Sequence, residues 1–176
     1  MSYEILKNVE IVISDIDGVW TDGGMYYGSN DIELKKFCIY DGGAIILLKL
    51  AKIPLVILSG ENNAILENRF NKLKIKDFRL GIKNKLNELS KILADYSIKK
   101  EKVLYVGDFI NDYPIMKSVG IPVCPLNACP EIKSISRLII EKYGGQGVVW
   151  ELVVMILKAK KIYEQVFDNY LKSLSL

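Results

Sequence analysis

Three short apolar runs in this chain each break off at a carboxylate, a hydroxyl or a glycine, and that repeated ending constrains the fold more than any other feature. Val9 to Ser14 (VEIVIS) stops at Asp15-Ile16-Asp17-Gly18, Pro54 to Leu58 (PLVIL) at Ser59-Gly60, and Lys102 to Val106 (KVLYV) at Gly107-Asp108. Runs this short, apolar and β-branched read as strands buried on both faces. Between them lie helical patterns at Ala44 to Lys52, Asn62 to Leu73 and Lys85 to Tyr96, the last carrying Leu86, Leu89, Ile92 and Leu93 as its apolar positions. Alternating strands and helices predict an α/β fold with a mainly parallel sheet. In such sheets ligands bind beyond the carboxyl ends of the strands, so the three polar endings should converge on one crevice.

The remaining segments extend this plan. Met25 to Tyr27 and Ile32 to Phe37 flank the turn-forming Gly28-Ser29-Asn30-Asp31, which predicts a small β-hairpin over about 25–37. Gly120 to Cys124 and Ser136 to Ile140 read as two further short strands, and Val149, Leu152, Val153, Ile156, Tyr163, Val166, Phe167 and Tyr170 mark one or two amphipathic helices, with a helical tail over about 158–176. A chain of 176 residues with no repeat or linker is expected to form one domain, 1–176.

Composition removes several kinds of chemistry. There is no histidine, which excludes imidazole-based triads, His-ligated zinc and His phosphotransfer. A net charge of +3 from 24 basic and 21 acidic residues is too small to argue for nucleic acid or an anionic membrane as partner. The three cysteines form no CxxC pair and read as reduced thiols; neither a leader nor a membrane span is expected, and the cytoplasm is the expected compartment.

What remains is carboxylate chemistry. Asp15 and Asp17, one residue apart at a strand end, can divide nucleophile and acid–base roles between them. Ser59-Gly60 offers a hydroxyl and backbone N–H groups at an expected helix N-terminus. Lys85 and Lys83 are candidate cations for a phosphate. Asp108 and Asp112 add oxygen ligands of the kind that suit Mg²⁺.

In this order, the DxDG after the first strand, the Ser closing the second, the Lys and the GDxxxD resemble the four motifs of the haloacid dehalogenase superfamily of phosphatases. Asp15 to Gly24 (DIDGVWTDGG), Gly107 to Pro114 (GDFINDYP) and Gly144 to Val149 (GGQGVV) further resemble its capless phosphatases of 3-deoxy-2-ulosonic acid phosphates. The resemblance implies a Rossmann-like fold with a hairpin in place of a cap, and an aspartyl-phosphate mechanism. It makes Asp15 the nucleophile and Asp17 the acid–base; Mg²⁺ is held by Asp15, the Asp17 main-chain carbonyl and Asp108. Ser59, Gly60 and Lys85 then bind phosphate, with Asp112 and Asn111 in support.

Two positions depart from the octulosonate 8-phosphate pattern: Glu61 stands where arginine is common, and Gly144-Gly145-Gln146-Gly147 stands where GGRG is common. Glu61 with Lys72 resembles the nonulosonate (sialic-acid-like) 9-phosphate branch, the substrate expected on that ground; the octulosonate 8-phosphate is the alternative. A non-catalytic domain, as in some acylneuraminate cytidylyltransferases, is a further alternative. The resemblance also implies a homotetramer whose Met25 to Phe37 hairpins meet.

Overall fold

Within β1 (Ile11–Ser14) the residues alternate between two helical layers: Val12 packs with one and Ile11 and Ile13 with the other, all fully buried. The computed structural model describes residues 3–30 and 32–174. In chain order β1 is followed by the hairpin of β2 (Tyr26–Tyr27) and β3 (Glu33–Leu34), then α1 (Ile39–Leu50), β4 (Leu55–Leu58), α2 (Ala64–Lys72), β5 (Asp77–Arg79) and α3 (Lys85–Tyr96). The second half runs β6 (Val103–Val106), α4 (Tyr113–Ser118), β7 (Ile121–Pro125), α5 (Pro130–Ile135), β8 (Leu138–Ile140), α6 (Val148–Ala159) and α7 (Tyr163–Leu174).

Six strands form one parallel sheet in the order β5-β4-β1-β6-β7-β8, and β2 and β3 form a separate antiparallel pair. The expected α/β class and mainly parallel sheet are what the structure contains. Val12, Ile57, Leu104 and Val106 pack with α1, α2 and α6 on one face; Ile13, Leu58, Val103 and Tyr105 pack with α3, α4 and α5 on the other.

Local differences from the sequence reading have physical causes. α1 starts at Ile39, not Ala44, so Gly42 and Gly43 are helical; a side chain at Gly43 would crowd the Trp150 ring of α6. α2 starts at Ala64, not Asn62, capped by the Asn63 side chain accepting from the Leu66 N–H, so Ser59 and Gly60 lie in a loop with Glu61 and not at the helix N-terminus expected for them. On α3 the inward stripe is Lys85, Leu89 and Ile92, spaced i, i+4, i+7, whereas Leu86 is 37 % exposed. Lys161, in the left-handed region, marks the break between α6 and α7. Tyr163 stacks on Phe167, and Tyr163 and Tyr170 pack against the core of their own chain, where α7 lies along α1. The expected hairpin turn includes Asp31 and the expected tail includes residues 175–176, which lie outside the described residues. Cys38, Cys124 and Cys129 are free thiols, and among the described residues no helix is long and apolar enough to cross a membrane.

Candidate active site

The strand order decides which side chains meet. β1 lies between β4 and β6, and the chain leaves β1 for β4 and β5 before crossing back to β6. That reversal opens a crevice at the carboxyl end of β1 and brings the residues after β1, β4 and β6 side by side. The Asp15 N–H still donates to the Val106 carbonyl at 2.9 Å, so its side chain is held by the sheet itself. Gly18 then turns with φ +78°, and a Cβ there would overlap the Asp108 carboxylate.

Four buried groups form the heart of the site. The Lys85 ammonium lies 2.9 Å from Asp15 Oδ1 and 2.6 Å from Asp112 Oδ1. Asp112, fully buried, also accepts from the Tyr105 hydroxyl at 2.6 Å and from the Asp108 N–H at 3.1 Å. Asp15, Asp108 and Asp112 each place a carboxylate oxygen within 4.8 Å of the others.

The electrostatics of this cluster are unbalanced. Burial, reinforced by Asp112, pushes the Asp15 carboxyl well above the ordinary range despite Lys85, and burial with Asp112 pushes Asp108 up to about 7. Burial alone would lower the Lys85 ammonium, but Asp15 and Asp112 outweigh it and the net shift is upward. Three carboxylates against one ammonium leave an excess of negative charge, which a divalent cation would balance; an all-oxygen donor set suits Mg²⁺. The residues present therefore fit the metal.

Asp17 sits apart from that cluster. Its Oδ1 accepts from the Thr21 hydroxyl at 3.0 Å and its Oδ2 from the Lys35 ammonium at 2.7 Å. Asp15, Asp17, Gly18, Gly23, Asp108, Phe109 and Asn111 line an open cavity of about 300 Å³. Clefts of about 700 and 510 Å³ lie elsewhere, one between the Tyr3–Asn8 turn and α6 and one beside Lys49 and Tyr96, but neither gathers such an acid cluster.

Ser59, after β4, is buried; its Oγ accepts from the Glu61 N–H at 3.1 Å, and Gly60 is exposed beside it. Glu61 and Lys72 are both exposed, in the loop before α2 and at its last residue, and neither makes an ion pair with a described residue. Lys83 is exposed, unlike Lys85. Gln146 is exposed, while Gly144 packs so closely on loop 15–22 that a Cβ would overlap the Gly18 carbonyl.

Three polar residues near the site escaped the sequence reading. Asn127 donates to the Gly18 carbonyl at 2.8 Å and accepts from the Gly144 N–H at 2.6 Å, tying the loop after β7 to two others. From the sequence Tyr105 is a strand residue and Lys35 part of the hairpin; only the tertiary approach reveals what either touches.

Residues 81–152 match the family model of haloacid dehalogenase-like hydrolases. The 3-deoxy-D-manno-octulosonate 8-phosphate phosphatase KdsC of Yersinia pestis is 35 % identical over 153 residues, covering 87 % of this chain and 82 % of the relative. The Moraxella catarrhalis phosphatase of the same name, solved with magnesium, phosphate and KDO, superposes with a TM-score of 0.90 at 28 % identity, over 96 % of this chain and 97 % of that one. The cobalt-bound Haemophilus influenzae enzyme gives 0.87 at 32 % identity, over 93 % and 98 %.

Proposed function

From its membership of the capless haloacid dehalogenase-like hydrolases of the 3-deoxy-D-manno-octulosonate 8-phosphate phosphatase family, which makes the chain a phosphatase, we propose that it hydrolyses the terminal phosphate of a sugar acid through an aspartyl-phosphate. The observation that carries this reading is the buried Asp15 carboxylate, 2.9 Å from Lys85 within the Asp108–Asp112 cluster. An accessory, non-catalytic role is set aside.

Asp15, Asp108 and the Asp17 main-chain carbonyl would hold magnesium, which would supply neutralisation of charge on the phosphoryl oxygens. The Asp15 carboxylate attacks phosphorus, forming an Asp15 O–P bond as the P–O bond to the sugar breaks, and Asp17 gives its proton to the departing alkoxide. Asp17 then takes a proton from the water that displaces phosphate from Asp15. Lys85, the Ser59 hydroxyl and the Gly60 N–H bind the phosphoryl oxygens; Asp112 holds Lys85 from behind, and Asn111 lines the mouth.

The octulosonate 8-phosphate is the leading substrate, on the strength of the relatives' chemistry. A second reading, a nonulosonate 9-phosphate, draws on Glu61 and Gln146: an exposed glutamate repels a sugar carboxylate that an arginine would attract. Comparing kcat/KM for the two phosphates separates them. Preference for the octulosonate supports the first reading; preference for the nonulosonate, narrowed by Glu61→Arg, supports the second; Mg²⁺-dependent turnover of neither refutes both. The working unit in this reading is a homotetramer joined through the hairpin, whose Tyr27 and Leu34 are 73 % and 60 % exposed.

A further inference from the structure

We infer that Lys35, on the hairpin, is a positioning residue for the acid–base step, holding the Asp17 carboxylate where it serves the leaving oxygen. The inference rests on the acid–base role of Asp17 proposed above. Both Asp17 oxygens are held, but from different parts of the chain: Thr21 comes from the same loop, and Lys35 lies 18 residues on. Thr21 pairs with Phe37 in an isolated antiparallel bridge, which lays the end of the hairpin over loop 15–22. Lys35 lies two residues before Phe37, between β3 and that bridge, within reach of the loop.

Burial distinguishes this contact from an ordinary surface ion pair. The Lys35 side chain is 0 % exposed and the Asp17 side chain 30 %, whereas the next residue, Lys36, is 64 % exposed and reaches Asp22 only at 3.8 Å. A solvated lysine spends rotamer entropy to hold one geometry and stabilises little. A lysine whose stem is already packed holds its partner without that cost.

The neighbourhood explains why Asp17 needs holding. It lines the same cavity as Asp15 but shares no hydrogen bond with the buried cluster, so among the described residues only Thr21 and Lys35 fix the rotation of its carboxylate. Lys35 and Thr21 each take one acceptor site on a different oxygen, which fixes the plane of the carboxyl group and leaves a lone pair on each oxygen for the proton that passes to the leaving group. Acid–base competence therefore depends on the hairpin being docked, which gives the small hairpin a part in the chemistry of its own subunit.

The test is the dependence on leaving group. An alkoxide needs a proton as it departs, whereas p-nitrophenolate leaves without one, and kcat/KM reports only the steps through departure, not hydrolysis of the phospho-enzyme. Lys35→Met keeps the length of the stem and removes the ammonium. It should lower kcat/KM for a sugar phosphate by about 10- to 100-fold, a share of the full acid–base contribution, and for p-nitrophenyl phosphate by less than about threefold. Retained p-nitrophenyl phosphate turnover is also the proof of folding, and Lys35→Gln should behave alike. Added to Asp17→Asn, Lys35→Met should lower sugar phosphate turnover no further. Equal loss on both substrates, no loss on either, or an additive double variant overturns the inference. Failure of Asp17→Asn alone to discriminate between leaving groups overturns the acid–base reading instead.

Discussion

Asp15→Asn keeps the shape of the side chain while removing both the nucleophile and one of three crowded carboxylates. Turnover should fall by at least about 1,000-fold, as for loss of a covalent nucleophile. Melting in metal-free buffer should show a Tm no lower than wild type, because the variant relieves the burial cost that raises the Asp15 carboxyl. Gly18→Ala tests the other side of the same contact. Its Cβ must displace the Asp108 carboxylate, and it sits at φ +78°, so the Mg²⁺ concentration for half-maximal activity should rise by about tenfold or more, as when a metal ligand loses its support. An unchanged Mg²⁺ dependence would remove Asp108 from the metal site. Asp15, Asp17, Asp108, Ser59 and Lys85 were legible in the sequence because a strand end or a helix start gives each a fixed address. Lys35, Asn127 and Tyr105 were not, because nothing in their local sequence distinguishes a lysine that pairs across the chain from one that faces water.

Elements were legible in proportion to their burial. β1, β4 and β6 are apolar on both faces and announce themselves, but β5 (Asp77–Arg79) is an edge strand whose Arg79 bridges Asp77, Glu88 and Asp95, so its polarity reads as loop. The order of strands was not legible at all, since right-handed crossovers fix handedness and leave the side of insertion open. The start of α1 was hidden by Gly42-Gly43, and that early turn has a consequence for α6. Asp41 in α1 is 1 % exposed, its Oδ1 accepts from the Trp150 N–H at 2.9 Å, and its Oδ2 has no hydrogen-bond partner among the described residues. Burial pushes its carboxyl up to about 6 against the pull of the Trp150 and Val149 amides of α6 and of Arg69. A folded-state value raised above the unfolded one means stability present at low pH and lost as pH climbs toward and through about 6. Asp41→Asn keeps the accepting oxygen and removes the ionisation. Relative to wild type it should gain about 1 kcal/mol between pH 5 and pH 7.5, read from urea midpoints at the two pH values. A difference that does not change with pH would show that Asp41 does not titrate there.

A single chain leaves its site open to solvent. With Asp108 raised to about 7, the metal-free chain loses stability as pH rises from the ordinary carboxylate range through neutrality. Mg²⁺ binds the ionised form and restores that stability, so its Tm gain should be larger at pH 8 than at pH 6 and small in Asp108→Asn. The cation balances charge but does not exclude water. The cavity stays open, and the chain exposes large apolar groups on two stretches of sequence: Tyr26, Tyr27, Ile32 and Leu34 on the hairpin, and Phe109, which lines the cavity, with Ile110 after β6. Four exposed apolar side chains on one small hairpin suit a contact face. Because the hairpin has two short strands and little core of its own, its stability in isolation is marginal, and a second hairpin packed on it would supply the missing apolar cover. The tetramer proposed above predicts that light scattering of the wild type at micromolar concentration shows a species four times the 19.9 kDa chain mass. Tyr27→Lys with Leu34→Lys alters two side chains that already face solvent within the chain, so it should yield a folded 19.9 kDa monomer. Its sugar phosphate kcat/KM should fall, because the reacting groups lose their cover and water gains access to them. A wild type that scatters as a single chain would refute the tetramer and leave the hairpin serving only its own Asp17.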